Sequence, residues 1–266
     1  MNSSGNQTAT DELAAPISLL DASMHPWTMQ QTLGEIARRM DAGIFTQHVV
    51  VNVAKVVNMR RDSSLRDSVR ECDIINIDGM GVVWGARIMG FQVPERVAGV
   101  DLFHKLLQYA EQDGKKVFLL GAKKDVIDET ARRVQYTYPG LKIAGHHHGY
   151  FWDDEEAVVR KIASSGADML FVAITSPRKE QFIHRWRNQL GVNFAMGVGG
   201  TFDIVAGKSR RAPVWMQKSG LEWLYRIIQE PRRMWKRYLV TNSKYMFLLV
   251  REWIACRLLH GLKRAQ

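Results

Sequence analysis

Six short segments rich in apolar residues recur along the chain, and the segments between them have apolar residues at helical spacing. A run that is apolar at every position is typical of a strand covered on both faces, as in a parallel sheet. Strands and helices that alternate in this way predict an α/β fold with a Rossmann-like, mostly parallel sheet and helices on both faces. The predicted strands lie within residues 48–53, 73–78, 116–121, 141–151, 168–175 and 192–200.

Helices are predicted in the segments that separate these strands. Thr28 is the expected N-cap of a helix over residues 27–40, whose apolar residues share one face. In the segment TSPRKE, Ser176 is expected to cap a helix that has Pro177 in its first turn. Further helices are expected over 99–113, 124–138 and 153–165, whereas 60–70 is either a helix or a loop.

Charge divides the chain into a neutral body and a basic tail. Residues 208–266 contain fourteen Lys and Arg against three Asp and Glu, so the tail carries +11 and residues 1–207 carry −1. We expect a flexible leader over 1–24, an α/β catalytic domain over 25–207 and a basic, amphipathic helical appendage over 208–266. Such a tail favours nucleic acid, anionic lipid or a phosphorylated substrate as partner, and charge alone does not choose among them.

Composition narrows the class of protein. The 46% of hydrophobic residues among 266 suffice for a full core. Two cysteines cannot form a disulfide framework or a zinc site, which suits a reducing cytoplasm. The first residues have no basic segment followed by an apolar core, so a secretory signal is not expected. No apolar run reaches the length of a membrane span, and we expect a soluble or peripheral protein.

Glycine or polar residues follow most of the predicted strands. Ligands of parallel α/β sheets bind outside the carboxyl ends of the strands, so these residues are expected to line one crevice. They are Asp78 and Gly79, Gly121, Gly149 and Tyr150, Thr175 to Pro177, and Gly199 and Gly200.

Asp78 ends a strand and has glycines beside it, so its carboxylate can project into this crevice. There it can act as a general base on an alcohol or hold a metal. The alternative is that Asp78 caps the following helix. No second acidic residue lies close by, so no obligatory metal is predicted. The three histidines 146–148 are not expected to chelate one ion, because adjacent residues of an extended loop point in different directions.

A glycine-rich turn over 197–200 runs directly into the basic tail. Its glycines allow the backbone to approach a ligand closely, and the tail arginines supply fixed positive charge, which favours a diphosphate as the ligand. The alternative is a tight turn followed by a solvated helix. Tryptophans that alternate with cations favour contact with an anionic bilayer. An RNA-binding tail is the competing interpretation, but the chain has no recognised nucleic-acid module, and no nucleic-acid partner is expected.

Several motifs together resemble a known family. They are IDGMGVVW (77–84), PERVAGVDLF (94–103), VFLLGAK (117–123), HHGYF (147–151), ITSPRKE (174–180) and GVGGTFDIVAGKSRRAPVWMQKSGLEWLYRIIQEPRR (197–233). In this order, and over about residues 52–238, the chain resembles the bacterial WecG/TagA/CpsF glycosyltransferases.

The resemblance implies an inverting enzyme, peripheral on the cytoplasmic face of the inner membrane, that moves a hexose from a UDP-sugar to a polyprenyl-diphosphate-linked sugar in cell-surface polysaccharide assembly. It also implies self-association. A departing diphosphate needs a divalent metal or fixed cations, and this chain has arginines where metal ligands are missing, so no metal cofactor is expected.

The resemblance also implies roles for individual residues. Asp78 is the base that deprotonates the acceptor hydroxyl, and Asn52 and Arg96 belong to the sugar pocket. Tyr150 and Asp203 hold the uridine, and Gly199 and Gly200 form the diphosphate turn. The tail residues Arg226, Arg233 and Arg237 fold over the site and steady the leaving UDP. From their places at strand ends, Gly121 and Ser176 are added as nucleotide-binding candidates.

This chain departs from the family pattern at three positions. Members that transfer N-acetylmannosamine usually have threonine at the position of Val50, glycine at that of Thr175 and glutamine at that of Lys179. The donor pocket is therefore expected to differ. The chain is more similar to branches of the family that build exopolysaccharides, including a glucosyltransferase of the xanthan pathway, and this resemblance favours UDP-glucose as donor. Lys179, taken as a donor-sugar residue, can instead pair with a uronate on donor or acceptor. A rival hypothesis is a non-catalytic basic protein that docks on membrane or nucleic acid through its tail.

Overall fold

The computed structural model describes residues 13–264, without the side chains of Arg233 and of residues 259–264. Its strands are β1 (Ile17–Leu19), β2 (Ala22–Met24), β3 (Thr46–Val51), β4 (Ile74–Ile77), β5 (Lys116–Gly121), β6 (Lys142–His147), β7 (Met169–Ala173) and β8 (Phe194–Gly197). β1 and β2 form an antiparallel hairpin. The other six strands, in the order β4-β3-β8-β7-β5-β6, form a sheet in which every neighbouring pair is parallel.

The helices follow the strands in the alternating order that a parallel sheet requires. Those of the body are α1 (Met29–Asp41), α2 (Val53–Met59), α3 (Ser63–Arg70), α4 (Met80–Ile88), α5 (Gly99–Gln112), α6 (Lys124–Thr137), α7 (Glu155–Ser164), α8 (Arg178–Trp186) and α9 (Thr201–Val205). Those of the tail are α10 (Val214–Lys218), α11 (Glu222–Gln229) and α12 (Pro231–Arg264). The Rossmann-like α/β fold predicted from the sequence is confirmed.

Both faces of the sheet are buried, because successive side chains of each strand point to opposite sides. In β7, Phe171 packs with α1, α5 and α6 on one face, and its ring meets that of Phe103 edge-on at 4.9 Å. Its neighbours Leu170 and Val172 pack with α7 and α8 on the other face. On that same face, β3 and β4 are covered by the hairpin and by α2, α3 and α4.

All six strands predicted from the apolar runs are present, and Thr28 caps α1 through its hydroxyl and the backbone N–H of Gln31, 3.1 Å apart. One prediction of local structure is wrong. Helix α8 begins at Arg178 with Pro177 as its N-cap and no side-chain cap, so Ser176 lies outside the helix and does not cap it. Residues 60–70, predicted as either a helix or a loop, contain the helix α3, which Asp62 caps.

The flexible leader predicted over 1–24 is corrected for its second half, while residues 1–12 lie outside the described part of the chain. Residues 17–24 form the β1–β2 hairpin, and Leu19, Leu20 and Met24 are buried in the core beside α2 and α4. The hairpin is ordered because three of its six strand residues and its turn residue Leu20 fill that core.

The basic tail is three helices that pack on the body. Tyr245 and Leu249 of α12 are buried against α4, where the Tyr245 hydroxyl donates to the Gly81 carbonyl oxygen at 3.1 Å. Gly85 makes this contact possible, since a Cβ there would lie 2.1 Å from the Tyr245 hydroxyl oxygen. Helix α11 has one apolar face, whereas α12 distributes apolar residues around its whole circumference. None of the described helices combines the length and apolarity needed to span a bilayer.

Candidate active site

The residues predicted to line one crevice lie along the end of the sheet where the carboxyl ends of its parallel strands meet, which is called the carboxyl edge here. Asn52 follows β3, Asp78 follows β4 and Gly121 ends β5. Ser176 follows β7, and Gly199 follows β8. The tail helix α11 packs beside the same edge, so the body and the tail both contribute to the candidate site.

Asp78 is half-buried at the amino end of α5. The backbone N–H of Gly99, the first residue of α5, faces its Oδ2 atom at 3.4 Å. Helix α4, which follows Asp78 in the chain, has Gly79 as its N-cap and no side-chain cap, so the alternative interpretation of Asp78 as the cap of the following helix is wrong. The Asp78 carboxylate instead points toward the loop before α5 and toward the tail.

Burial is the main cause that raises the pKa of Asp78 above its ordinary value, and the charges nearby act on this pKa in both directions. Arg96 lowers this pKa, Glu222 raises it, and Gly99 and Arg226 lower it. A carboxylate with a raised pKa is a stronger base, provided that it is ionised at the working pH. Asp78 therefore has the environment that a general base requires.

A chain of alternating charges connects the body to the tail beside Asp78. The guanidinium of Arg96 pairs with the Glu222 carboxylate of α11. Glu222 also faces Arg211, with Oε1 and Nε 3.6 Å apart, and Arg211 forms a two-pronged pair with Asp101 of α5. The pair with Asp101 is the first cause that raises the pKa of Arg211. Arg96, predicted for the sugar pocket, is thus already engaged by the tail.

Asn52 lies between β3 and α2. Its side-chain oxygen accepts the backbone N–H of Lys55 at 3.0 Å and thereby caps α2, while its Cβ lies 3.6 Å from where a Cβ on Gly79 would be. The cap occupies the amide oxygen and leaves the two N–H donors of the amide for other partners. Its contact with a sugar stays a prediction.

The glycine turn after β8 rests on a buried cluster of three charges. The ammonium of Lys179 lies 3.8 Å from the position of a Cβ on Gly199, and its aliphatic chain would clash with any side chain at Gly197. Lys179 faces Glu180 at 3.4 Å, and Lys55 pairs with the same carboxylate oxygen at 2.8 Å. The turn therefore needs glycine at 197 because the Lys179 side chain passes beneath it.

Opposing effects set the pKa values in this charge cluster. Burial raises the pKa of Glu180, but Lys55 and Lys179 outweigh burial and bring it down to about 2. Burial lowers the pKa of Lys179, Glu180 opposes this, and Lys55 and Arg237 add to it. Two cations against one carboxylate leave a net positive charge directly beneath the glycine turn, as a diphosphate site requires.

The remaining nucleotide candidates lie further along the edge. Tyr150 is 65% exposed, and its loop packs on the end of β5, where the Gly149 N–H donates to the Ala122 carbonyl oxygen at 2.8 Å. Gly121 is required by packing, because a Cβ there would lie 2.5 Å from the Ala173 carbonyl oxygen of β7. Tyr150 and Gly121 are thus neighbours. They lie beside β5 and β6, on the opposite side of the sheet from β4, which Asp78 follows.

Two further candidates flank the glycine turn. Asp203 is half-buried in α9, and its Oδ2 atom lies 4.0 Å from the position of a Cβ on Gly200. Ser176 is exposed between β7 and α8. The contacts of Tyr150, Gly121, Asp203, Ser176 and Gly200 with a nucleotide stay predictions.

The tail brings its cations to the two halves of this edge. Arg226 of α11 acts electrostatically on Asp78, and Arg237 of α12 acts on Lys179. Burial is the main cause that raises the pKa of Tyr238, and the charges of Arg226, Arg237 and Asp78 all influence it. The side chain of Arg233 lies outside the described part of the structure.

Sequence reasoning missed Glu222, Lys55 and Glu180. Glu222 lies within GLEW of the longest motif. This acidic residue of the motif could have been singled out, but the tail was described by its net positive charge. Lys55 lies inside an apolar segment and Glu180 beside Lys179, and nothing local distinguishes either from a surface charge. Among the described residues, no group of three or more His, Cys, Asp or Glu side chains could hold a metal ion. Of the three adjacent histidines, His146 contacts Asp128 at 3.1 Å.

Comparison with known proteins identifies the family of this chain. Residues 17–258 match the glycosyl transferase WecG/TagA/CpsF family, which confirms the resemblance seen in the motifs. The chain belongs to this family. The WecG/TagA/CpsF match includes both the sheet and most of the tail helix α12.

Two relatives within the family carry the same name. The chain is 40% identical over 192 residues to the N-acetylglucosaminyldiphosphoundecaprenol N-acetyl-beta-D-mannosaminyltransferase of Bacillus subtilis (strain 168). The aligned residues make up 72% of this chain and 74% of that protein. It is 41% identical over 211 residues to the protein of that name from Bacillus spizizenii (strain ATCC 23059 / NRRL B-14472 / W23), which covers 79% of each.

Proposed function

We propose that the protein transfers a glycosyl group from a UDP-sugar, with inversion, to a sugar linked to a polyprenyl diphosphate. The observation that carries this proposal is the arrangement at the sheet edge. A half-buried carboxylate with a raised pKa, Asp78, lies at the same edge as a glycine turn underlain by the Lys179 ammonium. The names of the two relatives support a lipid-diphosphate-linked acceptor.

The chemistry is a single displacement. The Asp78 carboxylate takes the proton of the acceptor hydroxyl as its oxygen attacks the anomeric carbon of the donor. The bond from that carbon to the diphosphate oxygen breaks on the opposite side, and its electron pair leaves with UDP. One displacement inverts the configuration at the anomeric carbon. Proton removal of this kind contributes about 10²–10⁴-fold to a rate.

The charge that develops on UDP requires positive groups that are in place before the reaction. Lys179 lies beneath the glycine turn, Arg237 is close enough to affect its pKa, and Arg226 approaches from α11. Backbone N–H groups of the turn over Gly199 and Gly200 add donors for the diphosphate. These groups can stabilise the leaving group without a divalent ion, so independence of metal stays our expectation.

The donor sugar is where the two lines of evidence diverge. The relatives are N-acetylmannosaminyltransferases, and on that ground we propose an N-acetylmannosamine-type donor in place of the glucose favoured by the sequence departures. Glucose is kept as the second candidate because Val50 lies beside the base. Its Cγ2 atom is 3.5 Å from the position of a Cβ on Gly99, which itself contacts Asp78. An apolar Val50 cannot hydrogen-bond an acetamido group, as a threonine could.

Contact with an anionic membrane is proposed for the tail. Its exposed large apolar residues include Trp215, Trp235, Phe247, Ile254 and Leu258, and cations are interspersed among them. A groove of about 380 Å³ between α2 and α12 is lined by Arg60, Arg61, Lys244, Phe247 and other residues. Cations beside exposed apolar side chains are suited to the boundary between anionic headgroups and acyl chains.

A transfer assay tests this function. Purified protein is incubated with polyprenyl-diphosphate-linked N-acetylglucosamine and, in turn, with UDP-N-acetylmannosamine, its uronate and UDP-glucose, each with and without EDTA. We expect product from the first donor that persists in EDTA. If only UDP-glucose gave product, glucose would replace N-acetylmannosamine as the proposed donor sugar. No product from any UDP-sugar, with UDP binding also absent, would favour the rival hypothesis of a non-catalytic basic protein.

A further inference from the structure

Glu222 is an acidic side chain of the tail whose charge acts on the proposed base, Asp78. It lies in the first turn of α11 and reaches the body by pairing with Arg96, a residue 126 positions earlier in the sequence. The side chains of both partners are largely buried, so this pair is screened from solvent less than a surface pair would be. Nothing in the proposed reaction so far uses Glu222.

Arg96 lies between Glu222 and the environment of Asp78. In the described part of the structure Asp78 forms no ion pair, although Arg96 is the nearby charge with the largest effect on its pKa. Without Glu222, the Arg96 guanidinium would be drawn toward the Asp78 carboxylate. An ion pair between them would lower the pKa of Asp78 and make Asp78 a weaker base. Glu222 opposes this in two ways, by holding the guanidinium and by placing a second negative charge near Asp78.

We propose that Glu222 is a positioning residue that couples docking of the tail to the strength of the base, because it holds Arg96 away from Asp78 only when α11 is packed on the body. The inference rests on the proposed function, in which Asp78 is the base. It gives the tail a task besides supplying arginines, since docking then prepares the acceptor side of the reaction as well as the leaving-group side.

Every charged or titratable group that faces Asp78 enters this argument. Arg96 comes from the loop before α5, the Gly99 N–H from α5 itself, Glu222 and Arg226 from α11, and Tyr238 from α12. Arg226 acts on Asp78 in the sense opposite to Glu222, although both lie on α11. A variant that removes the negative charge alone therefore separates the effect of Glu222 from that of tail docking.

The test compares Glu222→Gln, Glu222→Asp and Glu230→Gln with the wild-type protein. Asp78 must be ionised to act, so kcat/KM rises with pH through its pKa. In Glu222→Gln the pKa of Asp78 falls, and we expect the acid limb of the profile to move to lower pH while the plateau drops about tenfold with the weaker base. Glu222→Asp, which keeps the carboxylate, should retain the wild-type limb. Glu230→Gln removes the same charge from the other end of α11 and should leave the profile unchanged.

A second measurement does not depend on turnover. The Asp78 carboxyl carbon is titrated by NMR in protein labelled with ¹³C-aspartate, and its signal is identified by its loss in Asp78→Asn. A titration midpoint that is lower in Glu222→Gln than in the wild type supports the inference, and equal midpoints overturn it. A wild-type protein that transfers no sugar would count against the proposed function, while the titration would still decide the role of Glu222.

Discussion

The Asp78 carboxylate is held by one long contact with a backbone N–H and by charges that act from a distance, so it is available to a substrate. We expect Asp78→Asn to lower transfer about 10²–10⁴-fold, because an amide cannot take the acceptor proton. UDP binding, measured by calorimetry, should persist, since the glycine turn lies after a different strand. Asp67→Asn, at an exposed site on α3, is the matched control. Full activity of Asp78→Asn would exclude Asp78 as the base.

Glu180 is a single residue on which the stability of the glycine turn depends. It is 2% exposed and is ionised between two lysines, with a folded pKa of about 2 against 4.5 ordinarily. The stabilisation is therefore complete above pH 4.5 and is lost as the pH falls toward 2. We expect Glu180→Gln to lower the free energy of unfolding by about 3–5 kcal/mol near pH 7, because it leaves two buried cations unpaired.

Urea denaturation between pH 7 and pH 3 measures this effect. The difference between wild type and Glu180→Gln should narrow below pH 4.5, because Glu180 of the unfolded wild-type chain takes up a proton there while the folded carboxylate stays ionised until the pH approaches 2. Glu156→Gln, an exposed change on α7, should show no comparable difference at any pH. A constant difference down to pH 3 would contradict the charge-based explanation.

At the scale of elements, the contact between α4 and α12 depends on one glycine. A Cβ on Gly85 would overlap the hydroxyl oxygen of Tyr245, which is buried and donates a hydrogen bond to the Gly81 carbonyl oxygen. We expect Gly85→Ala to displace α12, which should speed tryptic cleavage of the tail and lower turnover. Gly34→Ala in α1 is the matched control, since a Cβ there meets nothing within 4 Å, and it should be neutral or stabilising by up to about 1 kcal/mol.

Cleavage of Gly85→Ala at the wild-type rate would show that α4 adapts to the added methyl group.

A more severe test of the same contact is deletion of the chain from residue 221 onward. That deletion removes Glu222 and Arg226 together with α12, and we expect it to reduce both turnover and vesicle binding. Vesicle binding that survives the deletion would assign the membrane contact to the body.

The elements differ in how well periodicity predicted them. The strands β4, β5, β7 and β8 are apolar runs buried along nearly their whole length, so they were recognisable from the sequence. The segment of the edge strand β6, KIAGHH, was also predicted as a strand, although it has no buried residue. Helices α2 and α4 were missed because their segments, VAKVVNM and MGVVWGARI, are apolar on nearly every side and lack the polar face that marks a helix. The β1–β2 hairpin was missed because its strands have three residues each, too few to establish alternation.

For the whole molecule, the distribution of charge and exposed apolar residues predicts how it meets a membrane. Phe247 is 67% exposed at the groove between α2 and α12. We expect Phe247→Glu to weaken sedimentation with phosphatidylglycerol vesicles, because it places an anion among anionic headgroups. Tyr136→Glu, at an 85% exposed aromatic residue on α6, is the matched control and should bind as the wild type does.

Binding of the wild type should also weaken as salt is raised, since ions screen the attraction between the +11 tail and the vesicle. Equal binding of Phe247→Glu and the wild type would move the contact away from this groove. Self-association stays a prediction from the family, to be measured by sedimentation velocity with and without vesicles.

The sequence by itself determined the order of the six sheet strands, the helices that have one apolar face and the residue types at the strand ends, because apolar runs and helical spacing are local patterns. It also placed Asp78 and the glycine turn at one edge, since parallel strands end together. Only the tertiary structure decided which distant groups meet there. The pairing of Arg96 with Glu222 and of Lys55 with Glu180 joins residues more than a hundred positions apart, and such contacts depend on which surfaces pack, a property that no local pattern encodes.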